Sequence, residues 1–499
     1  MFIAPGYQPT GISDKIDSAF EPVVIFLEKV FFWDPVKAMG FDIGAQVPIV
    51  VLWLLFGGVY FTFRMRFINV RAFRHAFKVI LGRYDKPGTE GEVSHFQALT
   101  TALSATVGLG NITGVAIAVT VGGPGATFWM ILAGFFGMSM KFTECTLGLK
   151  YRHIDARGRV SGGPMYYLSR ALKKRRLGAL GKVLAVFSAV MMVLASFGGS
   201  NMLQSNQSFV QLATVMPFFE GHGFWFGIGL SALIALVVLG GIKSIARVTS
   251  RLVPFMAALY ICAALVIIFM NFSRIDDVMV IIFKSAFSPV AVKGGIIGVI
   301  ITGFRRGAFS NEAGVGSAAV AHAAARTDEP VKEGIVAMLE PFIDTVIICT
   351  MTSLVIIFTG FHEIGAGLEG TELTSAAFES VFPWFPYILV IAILCFAFST
   401  MISWSYYGLK GFNYLVGDSI NKITGKSFVS LYIYYAIFLF FTVVGASSSL
   451  TNVIAFSDMM VLTMAFPNIL GLLILTPEVI ADLKSYMLRL KRGEIKQYN

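Results

Sequence analysis

Eleven apolar runs alternate with polar segments along the chain, at about 47–63, 96–121, 124–149, 181–214, 224–241, 252–271, 294–324, 335–359, 384–410, 428–446 and 450–476. Each is long enough to cross a hydrocarbon layer of about 30 Å as a helix. The runs are continuously apolar, with no two-residue alternation, which argues for helices and against a membrane β-barrel. Ahead of them, residues 18–40 (SAFEPVVIFLEKVFFWDPVKAMG) form a short, amphipathic, acid-flanked stretch. That pattern predicts a helix lying in the membrane interface.

Composition agrees. Of 499 residues, 56% are hydrophobic and 14% charged, and the mean hydropathy is +0.75, whereas a soluble protein is about a quarter charged. The net charge of +10 is distributed as membrane topology, not as a nucleic-acid patch. With the N-terminus outside, thirty Lys and Arg fall on inner segments and six on outer ones. Cationic loops stay cytoplasmic, so the basic tail is expected in the cytoplasm; basic loops also attract anionic lipid. Cys145, Cys262, Cys349 and Cys395 lie within apolar runs and read as small buried hydrophobes. They suggest neither a disulfide framework nor a metal site. Residues 1–20 lack a basic and an apolar region, so no cleavable signal peptide is expected.

Two runs carry residues that a lipid-facing helix does not need. The second contains Ser104-Ala-Thr-Val-Gly-Leu-Gly-Asn-Ile-Thr-Gly114. Gly108 and Gly110 each weaken a helix by about 1 kcal/mol relative to alanine. One reading is close helix packing through small residues. The other is a broken helix whose freed backbone groups face a ligand. The seventh run contains Arg305-Arg-Gly-Ala-Phe-Ser-Asn-Glu-Ala-Gly-Val-Gly-Ser317. Charges at membrane depth demand partners or water, which predicts a second interruption over 305–317. Ser310-Asn-Glu is then expected to cap a new half-helix. The two breaks lie five spans apart on oppositely directed helices, the signature of a five-plus-five inverted repeat with its site between the repeats.

Other polar positions in the spans allow alternatives. Asn201, Gln204 and Ser208 recur at helical spacing in the fourth span, either as glue between helices or as a cavity lining. Lys141 and Glu144 read as a neutralising pair or a proton relay. Glu340 and Asp344 are expected to meet the nearby arginines. Ser399, Thr400 and Ser403 offer hydroxyls from one side of the ninth span. Hydroxyl and carbonyl oxygens suit a monovalent hard cation, since magnesium or calcium recruits several carboxylates.

Gly122-Gly-Pro-Gly-Ala-Thr-Phe-Trp-Met130, Ser161-Gly-Gly-Pro-Met-Tyr-Tyr-Leu168 and Arg306-Gly-Ala-Phe-Ser-Asn-Glu-Ala-Gly-Val-Gly-Ser317 resemble the alanine or glycine:cation symporter family of bacteria and archaea. The resemblance runs from the first span to the last, with departures at Thr127 and Ile131. It implies an all-α polytopic membrane protein of leucine-transporter type and sodium-coupled uptake of a small neutral amino acid, with no cofactor beyond the coupling ions. The expected organisation is an outer N-terminal segment (1–46), an additional first span with a basic loop (47–90), a transport core (91–476, repeats at about 91–271 and 294–476) and a basic tail (477–499). By the same resemblance, amides around Gly108 and Gly110 take the substrate carboxylate and the Thr106 carbonyl its ammonium. Asn111, with Thr106, holds one cation. The Ser104 and Val107 carbonyls, with the Ser399 and Thr400 hydroxyls, hold a second. Phe197, Gly198 and Trp404 wall the pocket, with Asn201, Gln204 and Thr400 beside the substrate.

Three rival classes are weighed against this. A channel favours a continuous polar ring over two broken helices. No His-x-x-x-His, Asp–Asp or Ser–Lys set lies within a span, which weighs against an embedded enzyme. A proton-coupled transporter of the same fold is the closest alternative.

Overall fold

The computed structural model describes residues 22–41 (except 23, 24 and 27), 44–288, 295–364, 367–368, 370–426, 428–447 and 459–498. The predicted interfacial segment and the start of the eleventh run lie partly outside them. A helix occupies each of the eleven apolar runs. Among the described residues, six helices are long and apolar enough to cross a membrane: Gly178–Val215, Gly241–Met270, Pro330–Phe358, Phe385–Gly417, Val429–Ser447 and Met459–Lys491. A seventh crossing is the pair His95–Thr106 and Leu109–Gly122, bent by 61° at its break. Shorter apolar helices are Ile49–Arg64 and Gly223–Val238. Ala126–Lys150 and Gly295–Asn311 complete the set. Their outward faces are apolar: Leu236 is 77% exposed and Phe440 64%, which suits lipid contact and not water.

The chain starts and stops these helices by local chemistry. Ser94 and Gln97 form a reciprocal cap at the start of His95–Thr106, with Ser94 Oγ accepting from the Gln97 amide at 3.2 Å and Gln97 Oε1 from the Ser94 amide at 3.0 Å. The helix ends at Thr106. Val107 and Gly108 are extended, Leu109–Asn111 make one tight turn, and helix resumes at Thr113. Asn111 Oδ1 accepts from the Gly108 amide at 2.8 Å, a side-chain bond where the helical ladder has none.

The second interruption falls within the expected stretch 305–317 but begins only at Glu312. Gly295–Asn311 continues unbroken past Arg305 and Arg306, because arginine is a good helix former. Ser310 and Asn311 are its last residues, not the cap of a new one. The break is built by left-handed backbone at Glu312, Gly314 and Gly316, with φ of 53°, 85° and 90°, a conformation glycine adopts at little cost. A short helix, Ala318–His322, follows.

Ala126–Lys150 packs along this second broken segment. Gly303 and Gly307 let the backbones close, since a Cβ would meet Trp129 Cβ at 2.6 Å and Ala133 Cβ at 2.8 Å respectively. Helix Ile275–Phe287, expected only as an outer loop, also lies against it. Trp129 Nε1 donates to the Ala286 carbonyl at 3.1 Å, and the Phe128 ring sits 5.4 Å from Phe283. Residues 477–491, expected as a tail, continue the last helix. Lys141 reaches Glu340 at 2.9 Å and Glu144 at 3.8 Å, all three buried. Glu340 thus takes a lysine, where an arginine had been expected.

Candidate functional site

The two breaks face one small, partly open cavity of about 30 Å³. The first break contributes Ala105, Thr106, Gly108 and Gly110; the second contributes Phe309, Ser310 and Glu312. Gly199, Ser200 and Gln204 line a third side, with Thr400 and Val461 closing it. The third side exists because helix Gly178–Val215 widens into a π turn at Gly198–Met202, a distortion that turns polar groups toward functional sites.

Two opposed helix ends meet there. The last carbonyls of His95–Thr106 have no amide four residues on, and the N–H groups of Leu109 and Gly110 open a new helical turn without intrahelical acceptors. A helix end carries partial negative charge and a helix start partial positive charge. The site therefore offers acceptors and donors within a few residues. The Gly108 amide is already taken by Asn111, which leaves Leu109 and Gly110 as the backbone donors. Gln204 Oε1 is buried and has no hydrogen-bond partner among the described residues. Such an acceptor costs about 1–3 kcal/mol unless something meets it.

The hydroxyl cluster converges as expected. Thr400 Oγ1 donates to the Ser104 carbonyl at 3.0 Å, and Ser399 Oγ reaches the same oxygen at 3.5 Å. Ser104 Oγ is hydrogen-bonded to Ser403 Oγ. Val107, the remaining member, is fully buried.

Asn111 stands elsewhere, between the two breaks. Its Nδ2 donates to Asp344 Oδ1 at 2.6 Å and to Ser310 Oγ at 3.0 Å, while its oxygen faces Gly108. Asp344 Oδ2 accepts from Ser310 Oγ and Thr345 Oγ1, both at 2.7 Å. The oxygens gathered here are therefore those of Asp344 and Ser310. Asp344 was read in sequence as an arginine partner, and its central place depends on contacts 34 and 233 residues distant. Glu312 was likewise not singled out as a lining residue. Its carboxylate accepts from Ser317 Oγ at 2.5 Å and borders the cavity.

The polar stripe of the fourth span divides. Ser200 and Gln204 line the cavity. Asn201 is glue: Nδ2 donates to the Phe438 carbonyl at 2.7 Å and Oδ1 accepts from Thr442 at 2.8 Å. Ser208 bonds back to the Gln204 carbonyl at 2.7 Å. Phe197 stacks on Tyr434 at 5.4 Å and Phe441 at 5.3 Å. Trp404 is fully buried against Tyr407, with ring centroids 5.5 Å apart. Phe197, Gly198, Asn201 and Trp404 are not among the residues that line the cavity.

At one end of the molecule the two broken segments are tied together. Glu333 accepts from His322 at 2.6 Å and is also hydrogen-bonded to His95. The Arg152 guanidinium donates to the carbonyls of Ala323 (3.0 Å), Ala325 (2.6 Å), Thr327 (3.0 Å) and Glu90 (2.9 Å). Nearby, a hydrogen bond to Asp328 holds the Lys86 ammonium above its ordinary pKa. Among the described residues no group of three or more His, Cys, Asp or Glu is placed to hold a metal. A cation here would rely on hydroxyl and carbonyl oxygens with a single carboxylate.

A polar cavity where two interrupted helices meet, inside an apolar helix bundle, is the architecture of a secondary transporter. The chain belongs to the sodium:alanine symporter family, whose model matches residues 38–499. It is 40% identical to the sodium/alanine symporter AgcS of Methanococcus maripaludis, over 90% of this chain and 96% of that one. It is 35% identical to the "Probable sodium/glutamine symporter GlnT" of Bacillus subtilis, covering 89% of each. Its fold is similar to that of MhsT, solved in complex with L-phenylalanine, with a TM-score of 0.51 at 15% identity over 79% of this chain and 99% of that one. The protein is thus an all-α, multi-pass membrane transporter of leucine-transporter type that couples amino-acid transport to a cation.

Proposed function

We propose that the protein is a sodium-driven symporter that takes up alanine, glycine or a similarly small neutral amino acid by alternating access. The observation that carries this reading is the meeting of a helix end at Thr106 with a helix start at Leu109, on the wall of a small cavity. A zwitterion needs acceptors for its ammonium and donors for its carboxylate at one place. The Thr106 carbonyl and Gln204 Oε1 serve the ammonium. The Leu109 and Gly110 amides serve the carboxylate. Three glycines on the lining, Gly108, Gly110 and Gly199, leave room close to the backbone.

One sodium ion sits among the Ser104 and Val107 carbonyls and the Ser399 and Thr400 hydroxyls. It bridges the first broken helix to Phe385–Gly417, which lies in the other repeat. A second sits at Asp344 and Ser310, with Asn111 positioning the carboxylate. Each ligand stabilises the backbone geometry the other needs, which is coupling in the thermodynamic sense. The tie at Glu333 and Arg152 lies on the side expected to face the cytoplasm, so it is the contact that must part for inward release.

The carboxylate of Glu312 on the cavity wall favours a second reading, in which a proton replaces one sodium ion. Uptake of labelled alanine into proteoliposomes separates the two. At equal pH on both sides, an inward sodium gradient drives accumulation if the first reading holds. Sodium-independent accumulation driven by a pH gradient overturns it in favour of the second.

A further inference from the structure

We infer that a basic cavity on the molecular surface, away from the transport site, is a binding site for the headgroup of an anionic phospholipid. Six residues line it: Lys150, Tyr151, Arg152, Arg170, Lys173 and Lys174. Five are cations and none is an acid. Lys150 is neutralised by Glu478 at 2.7 Å and Asp482 at 2.6 Å. The other four have no carboxylate within ion-pair distance among the described residues. Arg170 donates to the carbonyls of Arg152 (3.2 Å) and Tyr151 (3.4 Å), and Arg152 also donates to carbonyls. Those bonds fix both guanidinium groups without cancelling their charge. Lys174 lies over the Tyr151 ring at 5.0 Å, and Lys173 extends into solvent.

The position of the cavity selects the ligand. Lys150 ends one apolar helix and Gly178 begins the next, so the cavity lies where the chain leaves and re-enters the apolar layer. The helix that begins four residues after Lys174, Gly178–Phe197, packs its start on Lys173 and exposes Leu180 (38%), Val183 (66%) and Val186 (39%). Uncompensated cations at the point where the chain enters an apolar, exposed helix match an amphiphile whose phosphodiester enters the cavity while its acyl chains stay in the apolar layer. A soluble anion needs only the cations; their place at the ends of two apolar helices commits the site to lipid. The ligand also lies next to Arg152, whose guanidinium clamps the end of the second broken segment.

Titration of the full-length protein in neutral detergent with phosphatidylglycerol or phosphatidylcholine tests this. Lys173→Gln/Lys174→Gln removes two charges whose loss leaves the fold intact, so its thermal midpoint without lipid stays that of the wild type. Each exposed cation near an anionic surface contributes roughly fivefold in affinity, so the double variant should bind phosphatidylglycerol about 25-fold more weakly. Phosphatidylcholine binding should not change. Equal phosphatidylglycerol affinity in wild type and variant overturns the assignment. Inorganic phosphate binding at the same site as tightly as phosphatidylglycerol overturns the commitment to lipid.

Discussion

The first break can be tested by restoring a side chain to it. In Gly108→Ala the new Cβ would stand 2.8 Å from Thr400 Oγ1, about 0.6 Å inside the 3.4 Å at which ordinary contact begins. The threonine hydroxyl cannot yield freely, because it donates to the Ser104 carbonyl at 3.0 Å. Overpacking of this kind costs about 1–3 kcal/mol, and loss of the hydrogen bond about 1 kcal/mol more. If sodium shares those oxygens, its half-saturating concentration for uptake should rise at least about tenfold, since 1.4 kcal/mol is a factor of ten. Two nearby glycines calibrate the result. At Gly110 the nearest atom is Phe309 Cε1 at 3.7 Å, an ordinary contact, and at Gly114 nothing among the described residues lies within 4 Å. Sodium dependence of labelled-alanine uptake, measured for all three variants alongside their thermal midpoints, should rank Gly108→Ala well below Gly110→Ala, with Gly114→Ala near wild type. The reasoning is refuted if Gly108→Ala and Gly114→Ala transport alike.

Three further outcomes follow from the geometry. Thr400→Val keeps the shape and removes the hydroxyl, so the sodium requirement should rise about tenfold with expression unchanged; an unchanged requirement removes Thr400 from the cation site. Asn201→Ala severs two bonds to helix Val429–Ser447 and should cost about 1–2 kcal/mol of stability while KM for the amino acid stays put; a KM change at wild-type stability would return Asn201 to the cavity. Asp344→Asn keeps the side chain's size and removes its charge; tenfold weaker sodium dependence is expected, and wild-type sodium activation would show that Asp344 holds no cation.

Much of the frame was legible in the sequence, because hydropathy reports lipid contact and each apolar run became a helix. The first break was legible for a second reason. Gly108, Gly110 and Asn111 concentrate weak helix formers with one side chain able to satisfy a freed amide. The second was legible as a stretch, 305–317, but its new half-helix was placed too early, at Ser310, because charge at Arg305 and Arg306 marks a need for partners while the glycines at 314 and 316 turn the backbone. Charge says where a helix needs partners; positive φ says where it ends. The stripe from Ser200 to Ser208 shows a related limit. Helical spacing puts residues on one face, but only the neighbouring helix decides that Asn201 meets Phe438 while Gln204 meets open space. Asp344 was hidden for the same reason, as its partners Asn111 and Ser310 come from both breaks. Helix Ile275–Phe287 was missed because its charged first turn, with Asp276 and Asp277, resembles a loop between spans.

The most direct test of the central claim is the position of bound alanine in a structure determined with sodium present. The account predicts its carboxylate against the amides of residues 109–110 and its ammonium toward the Thr106 carbonyl and Gln204. Alanine bound elsewhere in the molecule, with the first break unoccupied, would contradict it.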